Sequence, residues 1–139
     1  MKLHLYSDGG SRGNPGLAAY GFLIFDDGHQ LLKKGSRYLG VASNNEAEYR
    51  GLLAVLKEAI SLGATDVVIR MDSELVVRQV IGQYDVKAEN LRPLRKEVVD
   101  LLSKFSSYDI KHVRREDLNI VQADRLVNEK LDICTKLKK

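Results

Sequence analysis

Two short apolar runs bracket a segment of helical periodicity, and nothing else in this sequence restricts the fold as much. Leu3 and Leu5 alternate with Lys2, His4 and Tyr6, the period of a half-buried strand over residues 2–7 that ends at Asp8. Over residues 43–62 the spacing turns helical: Leu52, Val55, Leu56, Ala59 and Ile60 share one side, and Gly63 stands where a helix stops. Residues 67–71 then form a short, nearly continuous apolar strand closed by Asp72. Strand, helix and strand in that order make a βαβ unit, so strand 67–71 is expected to lie parallel to a neighbour, the first strand being the best candidate.

The remaining elements fall around that unit. Residues 9–16, rich in glycine and proline, read as a loop, and 17–25 as a second strand. Asp26-Asp27-Gly28 is a hairpin turn signal that returns the chain as a third strand over 30–39. A short helix is expected at 73–81. A longer one begins near Asn90, with Pro93 in its first turn and Leu91, Leu94, Val98, Leu101, Leu102 and Phe105 as its stripe. Residues 108–113 are the fifth strand, and a last helix runs from about Val121 toward Lys136, Lys138 and Lys139, which suit the negative end of its dipole. The expected architecture is a mixed five-stranded sheet with packed helices.

With 139 residues, 44% hydrophobic and 29% charged, residues 1–139 are expected to form a single domain around one core. There is no basic-then-apolar leader and no apolar run near the roughly 20 residues of a membrane span, so a cytoplasmic protein without membrane association is expected. A monomer is the expectation. The single Cys134 has no thiol partner and reads as helix packing. A net charge of +3 favours a polyanionic partner without requiring one.

Four carboxylates fall on faces that ought to be buried. Asp8 and Asp72 end the first and fourth strands, so parallel pairing would bring them out side by side at the sheet edge where ligands of open α/β sheets bind. Each alone could equally cap a loop or a helix. Glu48 shares a helix face with Leu52, Val55 and Ala59, whereas Glu46, three residues after Ser43, has the spacing of a capping box. A carboxylate along a core stripe is costly unless something positive compensates it. Asp124 sits on the stripe of Val127 and Leu131 near a helix start, where a dipole contact is the alternative explanation. Four such groups at one edge would repel unless divalent cations bind between them, and oxygen-only ligands select Mg²⁺ or Mn²⁺ over zinc.

Tyr6-Ser7-Asp8-Gly9-Gly10-Ser11-Arg12-Gly13-Asn14-Pro15-Gly16 resembles the first motif of the type 1 ribonuclease H (RNase HI) family. Ser43-Asn44-Asn45-Glu46-Ala47-Glu48 resembles the second and Met71-Asp72-Ser73 the third, while Ala123-Asp124 with Leu126, Val127 and Asn128 is similar to the fourth. The resemblance implies an RNase H-like α/β fold of sheet order 3-2-1-4-5, strand 2 antiparallel, with helices on both faces. It implies an endonuclease that hydrolyses the RNA strand of RNA/DNA hybrids with two Mg²⁺ ions bound alongside substrate, Mn²⁺ substituting, and leaves 5′-phosphate and 3′-hydroxyl ends. Asp8, Glu48, Asp72 and Asp124 would be the catalytic metal ligands. Asn14, Asn44 and Asn45 would line the hybrid groove, with Ser43 on a DNA phosphate and Ser73 also in contact with substrate. Amides in a wide minor groove can read the 2′-OH that separates RNA from DNA; turn and cap chemistry is the other reading of the asparagines.

Three departures from the family pattern stand out. The loop Arg114-Arg115-Glu116-Asp117-Leu118-Asn119 lacks the histidine many relatives carry, with Arg115 or Glu116 as replacements. Residues 82–90 are too short and too mildly charged for the basic insertion of some relatives, leaving scattered Lys33, Lys34, Arg37, Arg78, Lys87 and Arg95 as phosphate contacts or plain solvated charges. Asn119 precedes Asp124 by five positions where relatives often show four, and Glu74 also stands where an amide is frequent. Double-stranded RNA stays open as a second substrate, and a binding module without catalysis and a nucleotide-binding enzyme of another α/β fold are the competing readings. The last lacks both a GxxxxGK[ST] loop and a GxGxxG turn.

Overall fold

The computed structural model describes residues 1–137, so Lys138 and Lys139, read above as dipole partners, lie outside the described residues. Among those residues the strands are β1 (Lys2–Gly13), β2 (Gly16–Asp26), β3 (Leu31–Ala42), β4 (Asp66–Met71) and β5 (Ser107–His112). The helices are α1 (Asn44–Ser61), α2 (Glu74–Val80), α3 (Arg92–Leu102) and α4 (Leu118–Leu137). The sheet order is β3-β2-β1-β4-β5. β2 runs antiparallel to β1 and β3, and the β1–β4 and β4–β5 pairs are parallel, as the βαβ reading requires. No helix among the described residues is long and apolar enough to cross a membrane.

One face of the sheet is covered by α1 and α3. Leu3, Leu5, Ile24, Val67 and Ile69 pack there against Leu52, Val55, Leu56 and Ala59, with Leu94 and Val98 behind them. Each fully buried aliphatic side chain in that cluster contributes roughly 1.5–3 kcal/mol. The opposite face belongs to α4, where Ile120 meets Tyr6 and Leu23, and Val127 and Leu131 meet Ala19. Gly21 lets α4 come this close, since a Cβ at that position would stand 2.7 Å from the Ala123 carbonyl oxygen and 2.8 Å from Leu126 Cβ.

Two boundaries differ from expectation. The glycine-rich segment 9–16 is not a loop: β1 continues through it to Gly13, paired residue by residue with β2 from Gly9↔Tyr20 to Gly13↔Gly16. A ladder partner satisfies the backbone where side chains give no strand signal, and tertiary pairing overrides weak β propensity. The turn is only Asn14-Pro15, joined by a cis peptide and preceded by Gly13 at φ 101°. The last helix starts three residues before Val121, because Asp117 Oδ1 accepts from the N–H groups of Asn119 (2.9 Å) and Ile120 (3.2 Å) and so caps it. Lys136 lies in its final turn as expected, and Cys134 is a half-buried free thiol on the same helix.

Candidate active site

The site lies where two parallel strands stop keeping step. β1 and β4 pair as far as Tyr6↔Arg70, and β4 finishes at Met71, while β1 runs on beside β2. The neighbouring position that β4 vacates is a notch, with Asp8 on one side and Asp72, the first residue past β4, on the other. Asp8 pairs with Gly21 and therefore faces the α4 side of the sheet.

Glu48 reaches the notch from α1, on the opposite face, because the helix comes down onto the strand at Gly9. A Cβ on Gly9 would lie 2.4 Å from the carbonyl carbon and oxygen of Ala47, so only glycine fits beneath the helix there. The Gly9 N–H donates to Glu48 Oε1 and fixes its carboxylate. Carboxylate oxygens of Asp8, Glu48 and Asp72 all lie within 4.8 Å of one another. They open into a cleft of about 410 Å³ whose walls include Gly10, Asn44, Asn45, Ser73, Arg115 and Asp124.

Electrostatically the trio is uncompensated. Asp8 and Glu48 are each only 6% exposed. Burial first, then the charges of Glu48, Asp72 and Asp124, push Asp8 far above the usual carboxylate range. Burial and the charge of Asp72 also raise Glu48, opposed by hydrogen bonds from Asp8, the Gly9 N–H and Ser73. Without a cation, then, the Asp8–Glu48 pair retains a proton near neutral pH, the expected response of like charges crowded in a low dielectric. The nearest cation, Arg115, has its Nε 4.0 Å from Asp72 Oδ2, and its side chain is 89% exposed.

Asp124 departs from expectation. It lines the same cleft but is exposed and stands outside the trio, with Oδ2 accepting from Asn128 Nδ2 at 3.2 Å. The early start of α4 puts it in the second turn, beyond the reach of the helix dipole that offered a structural explanation. Asp72 likewise caps nothing, since Ser73 is the N-cap of α2, accepting from Val76 N–H at 3.3 Å.

The polar residues named from sequence divide into two groups. Asn44, Asn45 and Ser73 line the carboxylate cleft. Asn14 and Ser43 do not: Asn14 Oδ1 accepts from the Asn44 N–H (3.1 Å), and Ser43 caps α1 by accepting from Glu46 N–H (3.1 Å). Asn44 Oδ1 accepts from the N–H (2.7 Å) and hydroxyl (3.0 Å) of Ser11, so cap and turn chemistry is real here and it ties the β1–β2 hairpin to the start of α1. Arg12 ties the same hairpin to α4 through Asp132 at 2.6 Å. Only half of the capping box forms, because the Glu46 carboxylate turns to Arg50 (3.4 Å) and Asn90 (3.5 Å). Among the residues offered for the missing histidine, Arg115 lines the site and Glu116 does not. Sequence reasoning missed Ser11 and Asp117, whose signals were a hydroxyl in the glycine run and an Asp one residue before a helix.

Comparison with known proteins places this arrangement. Residues 6–130 match a family described as reverse transcriptase-like. The ribonuclease HI of Halobacterium salinarum is 40% identical over 131 residues, covering 94% of this chain and 65% of that protein. A bifunctional protein of Mycobacterium tuberculosis is 42% identical over 133 residues, 95% of this chain and 36% of its own length. The chain thus spans about a third of the mycobacterial relative and just under two thirds of the archaeal one. Among solved structures, the N-terminal RNase H domain of the M. tuberculosis protein superposes with a TM-score of 0.93 at 40% identity, covering 99% of each chain. LC11-RNase H1, crystallised in complex with an RNA/DNA hybrid, gives a TM-score of 0.89 at 36% identity, covering 96% of this chain and 99% of that one. Sheet order, the converged carboxylates and these matches agree: the chain belongs to the type 1 ribonuclease H family.

Proposed function

We propose that this protein is an endonuclease that hydrolyses the RNA strand of RNA/DNA hybrids with two divalent cations, Mg²⁺ or in its place Mn²⁺, and leaves 5′-phosphate and 3′-hydroxyl ends. The observation that carries the reading is the trio Asp8, Glu48 and Asp72, within 4.8 Å and without an internal counter-charge that matches it. The donor set fits the cation: all ligands are carboxylate oxygens, which suits hard divalent ions. When bound, such a pair activates the attacking water and neutralises charge on the leaving oxygen.

The protein's own contribution is to hold ligands and substrate in place. Asp8, Glu48 and Asp72 would bind the ions, and Asp124, exposed on the cleft wall, would complete the set. The Gly9 N–H and Ser73 orient Glu48 before substrate arrives, which lowers the reorganisation needed at the reaction. Asn44 keeps its amide donors for the minor groove because its carbonyl oxygen is already engaged by Ser11. Asn45 stands beside it on the cleft wall, and the Ser43 hydroxyl, accepting at α1, can still donate to a phosphate. Arg115, the one cation among the cleft-lining residues, is placed to meet a phosphate near the cut bond.

The deciding experiment incubates labelled RNA/DNA, RNA/RNA, single-stranded RNA and DNA/DNA with Mg²⁺, Mn²⁺ or EDTA. Internal cleavage of the hybrid's RNA with either metal and none in EDTA is expected. Metal-independent cleavage, or tight hybrid binding with no cleavage under any metal, overturns the proposal; the RNA/RNA lane decides whether double-stranded RNA is also cut.

A further inference from the structure

Glu48 and Asp72 belong to different helical segments that must be held at a set distance. Glu48 stands in the second turn of α1, and Asp72 lies two residues before α2 begins. Their carboxylate oxygens are within 4.8 Å of each other, and the charge of Asp72 acts on Glu48, so like charge pushes the two segments apart. Next to the site, a hydrogen bond between Ser73 and Glu48 opposes that push.

A second tie joins the same two helices inside the core. Tyr49 follows Glu48 by about 100° around α1, which turns its ring away from the notch and into the core beside Val76, Val77 and Val80 of α2. It is 0% exposed, and its hydroxyl donates to Gln79 Oε1 at 2.8 Å. Gln79, also buried, cannot swing its amide: Nε2 donates to the Asp85 carbonyl at 3.4 Å, which leaves Oε1 facing Tyr49. Its backbone is held as well, since Arg95 Nε donates to the Gln79 carbonyl at 3.2 Å. Ser73 and Gln79 are six residues apart, about 9 Å along the helix, so α2 is fastened to α1 at both ends. Bulk stability does not call for such a pair, because two apolar side chains of similar shape would fill this space at little or no cost. What a hydrogen bond adds is direction and a fixed length.

We infer that the Tyr49 hydroxyl, acting through Gln79, is a positioning group for the carboxylate trio: it sets the spacing of Glu48 and Asp72 and so how tightly a divalent cation is held between them. The inference deepens the metal-dependent reading above and rests on it.

Manganese titration of the substrate-free protein tests it, with free Mn²⁺ followed by electron paramagnetic resonance, beside cleavage rates against Mg²⁺ concentration. Tyr49→Phe removes one oxygen and keeps the ring. It is expected to raise the Mn²⁺ dissociation constant on the order of fivefold, the worth of one net hydrogen bond, and to raise the Mg²⁺ concentration for half-maximal cleavage to match. The kcat at saturating Mg²⁺ and the KM for hybrid should stay within about twofold. Tyr49→Phe combined with Gln79→Leu, which leaves neither partner orphaned, should show the same loss of affinity without a lower metal-free melting temperature, and it is the variant to read if Tyr49→Phe alone folds poorly. Val98→Ala, a cavity in the same core on α3, should melt lower yet bind Mn²⁺ as the unaltered chain does. Unchanged Mn²⁺ affinity in the folded double variant, or an equal loss in Val98→Ala, overturns the inference. Mn²⁺ binding by an unaltered chain that cuts no hybrid overturns the nuclease reading instead and leaves the affinity comparison standing.

Discussion

Two points along β1, His4 near its start and Asp8 midway, carry charged clusters of opposite character. At the start of the strand His4 is wedged between Arg70, whose Nη1 is 3.0 Å from Nδ1, and Asp27, whose Oδ1 is 2.8 Å from Nε2. Arginine can only donate, so Nδ1 accepts and Nε2 carries the proton that Asp27 receives, which fixes the neutral tautomer. The Arg70 guanidinium also sits 5.7 Å from the Tyr6 ring centroid. One cation, one anion and a neutral ring balance within the fold. Four residues along, Asp8 joins two further carboxylates, and the one ion pair of that trio among the described residues is Asp72 with the exposed Arg115 at 4.0 Å. Compensated charge near the start of the strand ties the β2–β3 turn to the sheet; uncompensated charge at mid-strand leaves a binding site for something outside the chain.

The largest effect that can break this contrast is on activity. Asp8→Asn or Glu48→Gln should lower Mg²⁺-dependent hybrid cleavage by more than about a hundredfold, beyond the loss typical of outer-shell partners, while Asp27→Asn stays within about twofold. Equal losses at both clusters, read as kcat, would erase the distinction. Asp124→Asn should fall between them, about tenfold down, because its side chain is exposed and outside the trio.

Stability sharpens the contrast further. Asp8 and Glu48 have folded-state pKa values raised above those of the unfolded chain, so their contribution is fully present below about pH 4 and is lost as pH climbs through the raised values. The metal-free chain should therefore melt lower at pH 8 than at pH 5.5. Mg²⁺ should restore the loss, and Asp8→Asn should melt roughly 3–6 °C above the unaltered metal-free chain at pH 8. Thermal melts with and without EDTA measure all three, and a metal-free melting point that rises with pH contradicts the assignment. At the His4 cluster the sign reverses: the His4 hydrogen bond holds Asp27 below the usual carboxylate range, so its contribution exists above the unfolded value and fades on acidification. As Asp27 is fully solvated, the smallest change is expected there, a slight fall in melting temperature for Asp27→Asn at pH 7 that shrinks in high salt.

Most of this arrangement was readable from residues alone where periodicity and burial reinforce each other. The stripe of Leu52, Val55 and Ala59 identified both α1 and the anomalous Glu48, and the parallel pairing of β1 with β4 followed from the helix between them. Reading failed where pairing or capping replaces a side-chain pattern. Gly9, Gly10 and Gly13 carry no strand signal, so the long β1–β2 ladder that projects Asn14 toward α1 was invisible without its partner. Asp117 was one more acid in a charged loop until its carboxylate was seen against two backbone N–H groups. Arg78, whose Nη1 donates to Gln83 Oε1 at 2.9 Å, was hidden for a similar reason: a solvated arginine and an anchoring one look alike in sequence.

Gly9 sets a limit on how this site can change. Helix and strand pack there with no room for a Cβ, which would stand 2.4 Å from the Ala47 carbonyl, so glycine sets how near α1 comes to β1. Any side chain at position 9 can only wedge the helix outward and widen the gap. Drift or engineering at that residue therefore runs in one direction, toward a wider gap, and a tighter grip would have to come from Asp72 or Asp124, which lie outside α1.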